Sequence, residues 1–147
     1  MPRTALFPGS FNPFTIGHAA IVERALALFD CIWIAIGVNP DKDDRDLEAR
    51  VEAIRRQYAD EPRIQVCAYR TLTADLVRET GACCIVRGIR NTRDLDYENE
   101  IARANYTLFG VETVYLLASP ELREVSSSLV NELRQYGKDI SNLLPQK

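Results

Sequence analysis

The strongest constraint in this sequence is a repeated change of apolar period, from short continuous runs to stretches in which apolar residues recur every three or four positions. Residues 4–7 form the first run, and residues 17–30 follow with Ile21, Val22, Ala25, Leu28 and Phe29 on one helical face. Residues 31–38 are then apolar without a break, as expected of a strand covered on both faces. Leu47, Val51, Ile54 and Tyr58 share a second helical stripe, residues 64–69 read as a third strand, and residues 73–80 as a short helix before Gly81. Residues 83–86 read as a fourth strand, 94–109 as a helix ended by Gly110, 112–117 as a fifth strand, and 126–136 as a helix stopped by Gly137. Parallel neighbours need crossover connections, so this alternation predicts a doubly wound α/β domain: a mainly parallel five-stranded sheet with helices on both faces. The 147 residues suffice for one such domain, and residues 1–147 are read as a single unit without repeat or linker.

Charge narrows the function classes. Eighteen Lys and Arg against 21 Asp and Glu give a net charge of -3, which provides no broad cationic surface for a nucleic-acid backbone or an anionic membrane. Any anion site must therefore be local. The apolar stretch 31–38 is too short to span a bilayer, and no basic region followed by an apolar signal opens the chain, so a cytoplasmic location is expected. Cys31, Cys67, Cys83 and Cys84 lie in or beside apolar runs without C-x-x-C spacing, which favours buried free thiols over zinc or redox chemistry.

In a doubly wound sheet, ligands bind beyond the carboxyl ends of the strands, where helix N-termini point into the crevice. Four polar segments fall there. After the first strand, Gly9-Ser10-Phe11-Asn12-Pro13-Phe14-Thr15-Ile16-Gly17-His18 runs into a helix and carries the only histidine. A glycine-containing turn lets backbone N–H groups approach phosphate oxygens, and the helix end adds partial positive charge. After the second strand comes Lys42, readable as a phosphate clamp or as a loop charge neutralised by Asp41, Asp43 and Asp44. The fourth strand ends in Arg87-Gly88-Ile89-Arg90, readable as two guanidinium forks on two phosphate groups or as ion pairs with Asp94 or Asp96. After the fifth strand, Ser126-Ser127-Ser128 opens a helix, where hydroxyls both cap and bind anions. Cations, hydroxyls and backbone donors on one rim, with neither a Ser-His-Asp set nor a metal-ligand cluster, point to a polyphosphate site.

At these residues the sequence resembles the bacterial phosphopantetheine adenylyltransferases, within the nucleotidyltransferase superfamily marked by a T/H-x-G-H segment. The resemblance rests on Phe7-Pro8-Gly9-Ser10-Phe11, Thr15-Ile16-Gly17-His18, Lys42, Arg87-Gly88-Ile89-Arg90, Asp96-Tyr97-Glu98 and Ser126-Ser127-Ser128, and runs over nearly the whole chain. It implies a Rossmann-like nucleotidyltransferase fold and transfer of AMP from ATP to 4′-phosphopantetheine. It further implies His18, Lys42 and Arg90 as catalytic groups, and Ser10, Lys42, Thr73 and Arg87 on the phosphopantetheine side. For ATP it implies Ser10, Phe11, His18, Gly88, Ile89, Arg90, Glu98, Leu122, Arg123, Glu124, Val125, Ser126, Ser127 and Ser128. Mg²⁺ as cofactor, a homohexamer and coenzyme A as a candidate feedback ligand come from the same kinship.

Other readings use the same residues. A sister nucleotidyltransferase acting on nicotinate mononucleotide or glycerol 3-phosphate shares the G-H segment, but the Arg-Gly-Ile-Arg run with a serine triplet disfavours it. A noncatalytic ATP-binding module keeps the fold without turnover, and His18 together with Lys42 speaks against such decay. An aminoacyl-tRNA synthetase fragment would need appendages that 147 residues cannot hold.

Overall fold

The computed structural model describes residues 2–39, 41 and 45–146. Five strands, β1 (Thr4–Gly9), β2 (Cys31–Gly37), β3 (Ile64–Tyr69), β4 (Cys84–Ile89) and β5 (Thr113–Leu117), form one sheet in the order β3-β2-β1-β4-β5. Every neighbouring pair is parallel. The helices between and after them are α1 (Ile16–Ala25), α2 (Leu47–Gln57), α3 (Thr73–Thr80), α4 (Thr92–Phe109) and α5 (Ser127–Gln135). The expected α/β architecture is present.

The unbroken apolar run of β2 has a simple cause: both of its faces are covered. Ile32, Ile34 and Ile36 pack with Ile21, Val22 and Ala25 of α1 and Val51 and Ile54 of α2. On the opposite face Ala35 joins Leu6 and Ile85 beneath Ala74, Leu76 and Val77 of α3. Ile32, Ile34, Ile36, Leu6 and Val86 are fully buried, and each such side chain contributes about 1.5–3 kcal/mol of transfer free energy. Gly110 ends α4 at φ 68, in the left-handed region that favours glycine, which is why the helix stops where the sequence placed its end.

The edges of the elements differ from the sequence reading in an informative way. β1 continues to Gly9 and β4 to Ile89, so Arg87 and Gly88 lie within the strand rather than after it. The charge of Arg87 suggests a strand end from sequence alone, but its guanidinium finds acceptors at the rim while its backbone stays in the sheet. Helix α1 stops at Ala25, and residues 26–28 complete a turn before β2. Of the four thiols only Cys84 is buried; Cys31 and Cys67 are partly exposed and Cys83 is exposed, because Cys83 precedes β4 at the amino-terminal edge of the sheet. The expectation of four buried thiols is corrected accordingly.

Candidate active site

The strand order reverses between β1 and β4: β2 and β3 extend the sheet to one side and β5 to the other. Crossovers leave in opposite directions there, which opens a crevice at the carboxyl ends. A cavity of about 270 Å³ occupies it, bounded by the β1–α1 loop, the start of α1, the end of β4, and residues 118–128.

The β1–α1 loop places the histidine. Thr15 is the N-cap of α1, and its side chain accepts from the backbone N–H of His18 at 3.3 Å. In return the backbone N–H of Thr15 donates to Nδ1 of His18 at 2.9 Å. This is a capping box with imidazole in the place usually taken by Glu or Gln. Because Nδ1 accepts, the neutral ring carries its proton on Nε2. Phe14 stacks on the imidazole with ring centroids 5.4 Å apart, and Phe11 meets it edge-on at 5.0 Å. Burial, reinforced by the positive charges of Arg87 and Arg90, lowers the His18 pKa to about 4. At neutral pH the site therefore holds an uncharged N–H donor. Gly9 makes this packing possible, since a Cβ there would lie 2.8 Å from the Phe11 ring.

Two arginines from β4 and the turn after it stand over the cavity, each held by a carboxylate of α4. Arg87 makes a bidentate pair with Glu98, Nη2 to Oε1 at 2.6 Å and Nε to Oε2 at 2.9 Å, and its Nη1 donates to the Pro8 carbonyl. Glu98 is the one buried residue of α4, an 18-residue helix. Arg90 donates through Nε to Asp94 Oδ2 at 3.1 Å, and the same oxygen accepts from the Arg90 backbone N–H at 3.0 Å. Ion pairs and cavity exposure thus coexist: Arg87, Arg90, Asp94 and Glu98 all line the crevice. The partner of Arg87 is Glu98 rather than Asp94 or Asp96, because the carboxylate must come from the helix turn lying over the strand.

The serines at the start of α5 divide their work. Ser126 is the N-cap, accepting from Leu129 N–H at 3.0 Å, and Ser127 donates to the Pro13 carbonyl at 2.7 Å. Ser128 is exposed and reaches the cavity with them. Of the residues expected from sequence, Ser10, Phe11, His18, Arg87, Gly88, Arg90, Glu98, Leu122, Val125, Ser126, Ser127 and Ser128 all line this cavity. Ile89, Arg123 and Glu124 do not: Ile89 is buried at the end of β4, and Arg123 and Glu124 are exposed, Arg123 donating to the Arg90 carbonyl at 3.2 Å. Lys42 lies outside the described residues.

Thr73 lines a second cavity of about 180 Å³, with Pro8, Tyr69, Tyr97, Ile101 and Asn105. Its hydroxyl lies 2.9 Å from that of Tyr69. Gly9, Arg87 and Glu98 line both cavities, so the arginine–glutamate pair stands between them. Sequence reasoning missed Thr15 as the orienter of His18, although the T-x-x-H spacing at a helix start is itself a capping signal. It also missed Arg50 and Asn131, which donate to the carbonyls of Ser10 at 2.8 Å and Asn12 at 3.0 Å. No local pattern marks either. Among the described residues no group of three or more His, Cys, Asp or Glu is placed to hold a metal ion, and no helix is long and apolar enough to cross a membrane.

A profile of cytidylyltransferase-like proteins matches residues 6–133. The parallel sheet, the crevice at its switch point and this match define the class: the chain belongs to the cytidylyltransferase-like family of nucleotidyltransferases. It is 50% identical over 145 residues to the phosphopantetheine adenylyltransferase of Bacteroides fragilis, covering 98% of this chain and 97% of that one. Its membership is with the phosphopantetheine adenylyltransferases, since the protein of that name from Porphyromonas gingivalis is 52% identical over 143 residues (97% and 94% covered). The one from Kocuria rhizophila is 43% identical over 145 residues (97% and 93% covered). The fold matches the crystal structure of a Vibrio parahaemolyticus protein described as a nicotinate-nucleotide adenylyltransferase, with a TM-score of 0.66 over 99% of this chain and 95% of that one. At 20% identity that likeness concerns the fold alone.

Proposed function

We propose that this enzyme transfers the adenylyl group of ATP to 4′-phosphopantetheine, giving dephospho-coenzyme A and pyrophosphate in coenzyme A synthesis. The observation that carries the chemistry is the neutral imidazole of His18, tautomer fixed by Thr15, beside two arginines and the starts of α1 and α5. An acceptor phosphate monoester is largely ionised near neutral pH, so no protein base has to generate the nucleophile. An acceptor oxygen attacks the α-phosphorus as the bond to the β-phosphate breaks, and pyrophosphate departs in line. His18 Nε2–H, Arg90 and the helix-end amides stabilise the charge that builds on the phosphate oxygens. Lys42 is proposed as a further phosphate ligand, on kinship.

The ATP phosphates belong in the polar cavity, and the pantetheine arm in the adjoining one lined by Tyr97, Ile101 and Thr73, with Arg87 between. Mg²⁺ is proposed as the counter-ion carried by ATP. Among the described residues, the carboxylates facing the polar cavity, Asp94 and Glu98, are each paired with an arginine, so phosphate oxygens and water would be its ligands there. A homohexamer in the cytoplasm is proposed on kinship. Coenzyme A, which shares the adenylylated pantetheine skeleton of the product, is proposed to compete for the same two cavities.

Pyrophosphate release from ATP, measured with and without 4′-phosphopantetheine, tests the reading. We expect release only with the acceptor, and none when CTP replaces ATP or nicotinate mononucleotide replaces the acceptor. Tight ATP binding without release would leave a binding module, and equal turnover with CTP would overturn the nucleotide assignment.

A further inference from the structure

The end of β1 and the loop that leads to α1 are bound at their carbonyls. Pro8, Ser10, Asn12 and Pro13 each have the carbonyl oxygen engaged by a side chain from another element: Arg87 of β4, Arg50 of α2, and Asn131 and Ser127 of α5. In a trans peptide the C=O and the following N–H point in opposite directions. A donor that draws the Ser10 carbonyl toward α2 therefore turns the Phe11 N–H the other way. Ser10 lines the crevice that holds His18, Arg50 lines a cavity of about 230 Å³ with Phe14, Ile54 and Pro145, and Phe11 lines both, standing between them.

Phe11 shows why the Ser10–Phe11 peptide needs a hold. Its φ is 46, in the left-handed region that a side chain of its size disfavours. A half-turn of that peptide plane would return Phe11 to negative φ and aim the Ser10 carbonyl oxygen into the crevice, toward any phosphate there. Arg50 opposes this turn. Its Nη1 lies 2.8 Å from the Ser10 oxygen, its side chain is only 16% exposed, and its Nε lies 3.3 Å from Asp46 Oδ1. Asp46 occupies the N-cap position of α2 yet makes no side-chain cap bond; its carboxylate faces Arg50 instead.

We infer that Arg50 is a positioning residue of the phosphate site: by holding the Ser10 carbonyl against α2 it keeps the Phe11 amide turned into the crevice as an anion donor. It rests on the proposed function only in taking the anion to be the polyphosphate of ATP. Loss of Arg50 should weaken nucleotide and leave the acceptor nearly untouched, a split that general loosening of the fold does not produce.

The test is binding of ATP, inorganic pyrophosphate and 4′-phosphopantetheine, each alone, to wild type, Arg50→Met and Arg50→Lys, with the Phe11 amide followed by ¹⁵N NMR. We expect ATP and pyrophosphate to bind about tenfold more weakly to Arg50→Met, and about threefold more weakly to Arg50→Lys, which keeps one donor. Acceptor affinity should change less than about twofold, and pyrophosphate should shift the Phe11 amide strongly in wild type and weakly in the variants. Unchanged ATP affinity in either variant, or equal losses for ATP and acceptor, would overturn the assignment. If Arg50→Met does not fold, Arg50→Lys and the Phe11 signal decide. A wild type that binds ATP but transfers nothing to 4′-phosphopantetheine removes the functional reading alone, and the comparison of ATP affinities still stands.

Discussion

The two cavities either side of the Arg87–Glu98 pair are built from different materials. The one beside His18 is roofed by helix starts, hydroxyls and guanidinium groups; the other is walled by Tyr69, Tyr97, Ile101 and Ala102. They share Gly9, Arg87 and Glu98, so a molecule with a phosphate at one end and a long, weakly polar arm can have its phosphate at the partition and its arm beyond it. The division follows from topology. Helices α1 and α5 begin at the polar cavity and bring free N–H groups, whereas α4 passes the other one side-on and brings side chains. One strand residue, Arg87, serves as the boundary stone.

Substitutions on each side should break this contrast differently. His18→Ala should produce the largest effect, a loss of kcat of about 10²-fold or more with ATP affinity changed far less, because the donor acts on charge that develops in the transition state. Steady-state and ATP-binding measurements on the same preparation check it; near-normal turnover would remove His18 from the mechanism. Arg87→Ala acts on the partition. It strands Glu98, whose side chain is 8% exposed, and frees the Pro8 carbonyl, so we expect a cost of about 3 kcal/mol in chemical denaturation together with a raised acceptor KM. Arg87→Ala with unchanged stability would show that the pair is not structural.

The pH dependence of stability isolates the polar side. The folded imidazole stays neutral down to about pH 4, whereas its unfolded counterpart takes up a proton near 6.5. Between those values the unfolded chain binds more protons, so this histidine lowers stability progressively as pH falls through 6.5 toward 4 and contributes no slope above it. The full effect is about 3 kcal/mol at the acid end. Denaturation of wild type and His18→Asn at acid and neutral pH should show a smaller acid loss in the variant; identical losses would contradict a partly buried ring held neutral. The smallest effect belongs to the apolar side. Thr73→Val removes the hydroxyl facing Tyr69 and should cost about 1 kcal/mol, with a modest rise in acceptor KM and none for ATP.

How far the sequence foretold this depends on the range of the interactions. Strand β3 and helix α3 fall at the expected residues because apolar period and the Gly81 stop are local signals. Strands β1 and β4 run longer than their apolar runs, since ladder pairing continues beneath Pro8-Gly9 and Arg87-Gly88, where composition no longer reads as a strand. The gathering of the Gly9–His18 segment, the Arg-Gly-Ile-Arg run and the serine triplet on one rim was legible because each follows a strand. Their wiring was not. Which carboxylate meets Arg87, and that Arg50 and Asn131 hold the β1–α1 loop, depends on contacts 11, 40 and 119 positions apart in the chain. No periodicity encodes those. The imidazole's place among Phe7, Phe11 and Phe14 sits between these extremes, with its residues adjacent in sequence but its burial made only by folding.

The neutral, Nε2-protonated imidazole is the center on which the proposed chemistry turns, and because the chain has 1 histidine its ring signals need no assignment. Ring ¹⁵N shifts of the folded protein, followed from neutral pH to about pH 5.5, read both tautomer and charge. Nδ1 at the value of an unprotonated acceptor and Nε2 at that of an N–H, both constant over the range, is the predicted result. A titration centred near the ordinary histidine value, or a proton found on Nδ1, would contradict it.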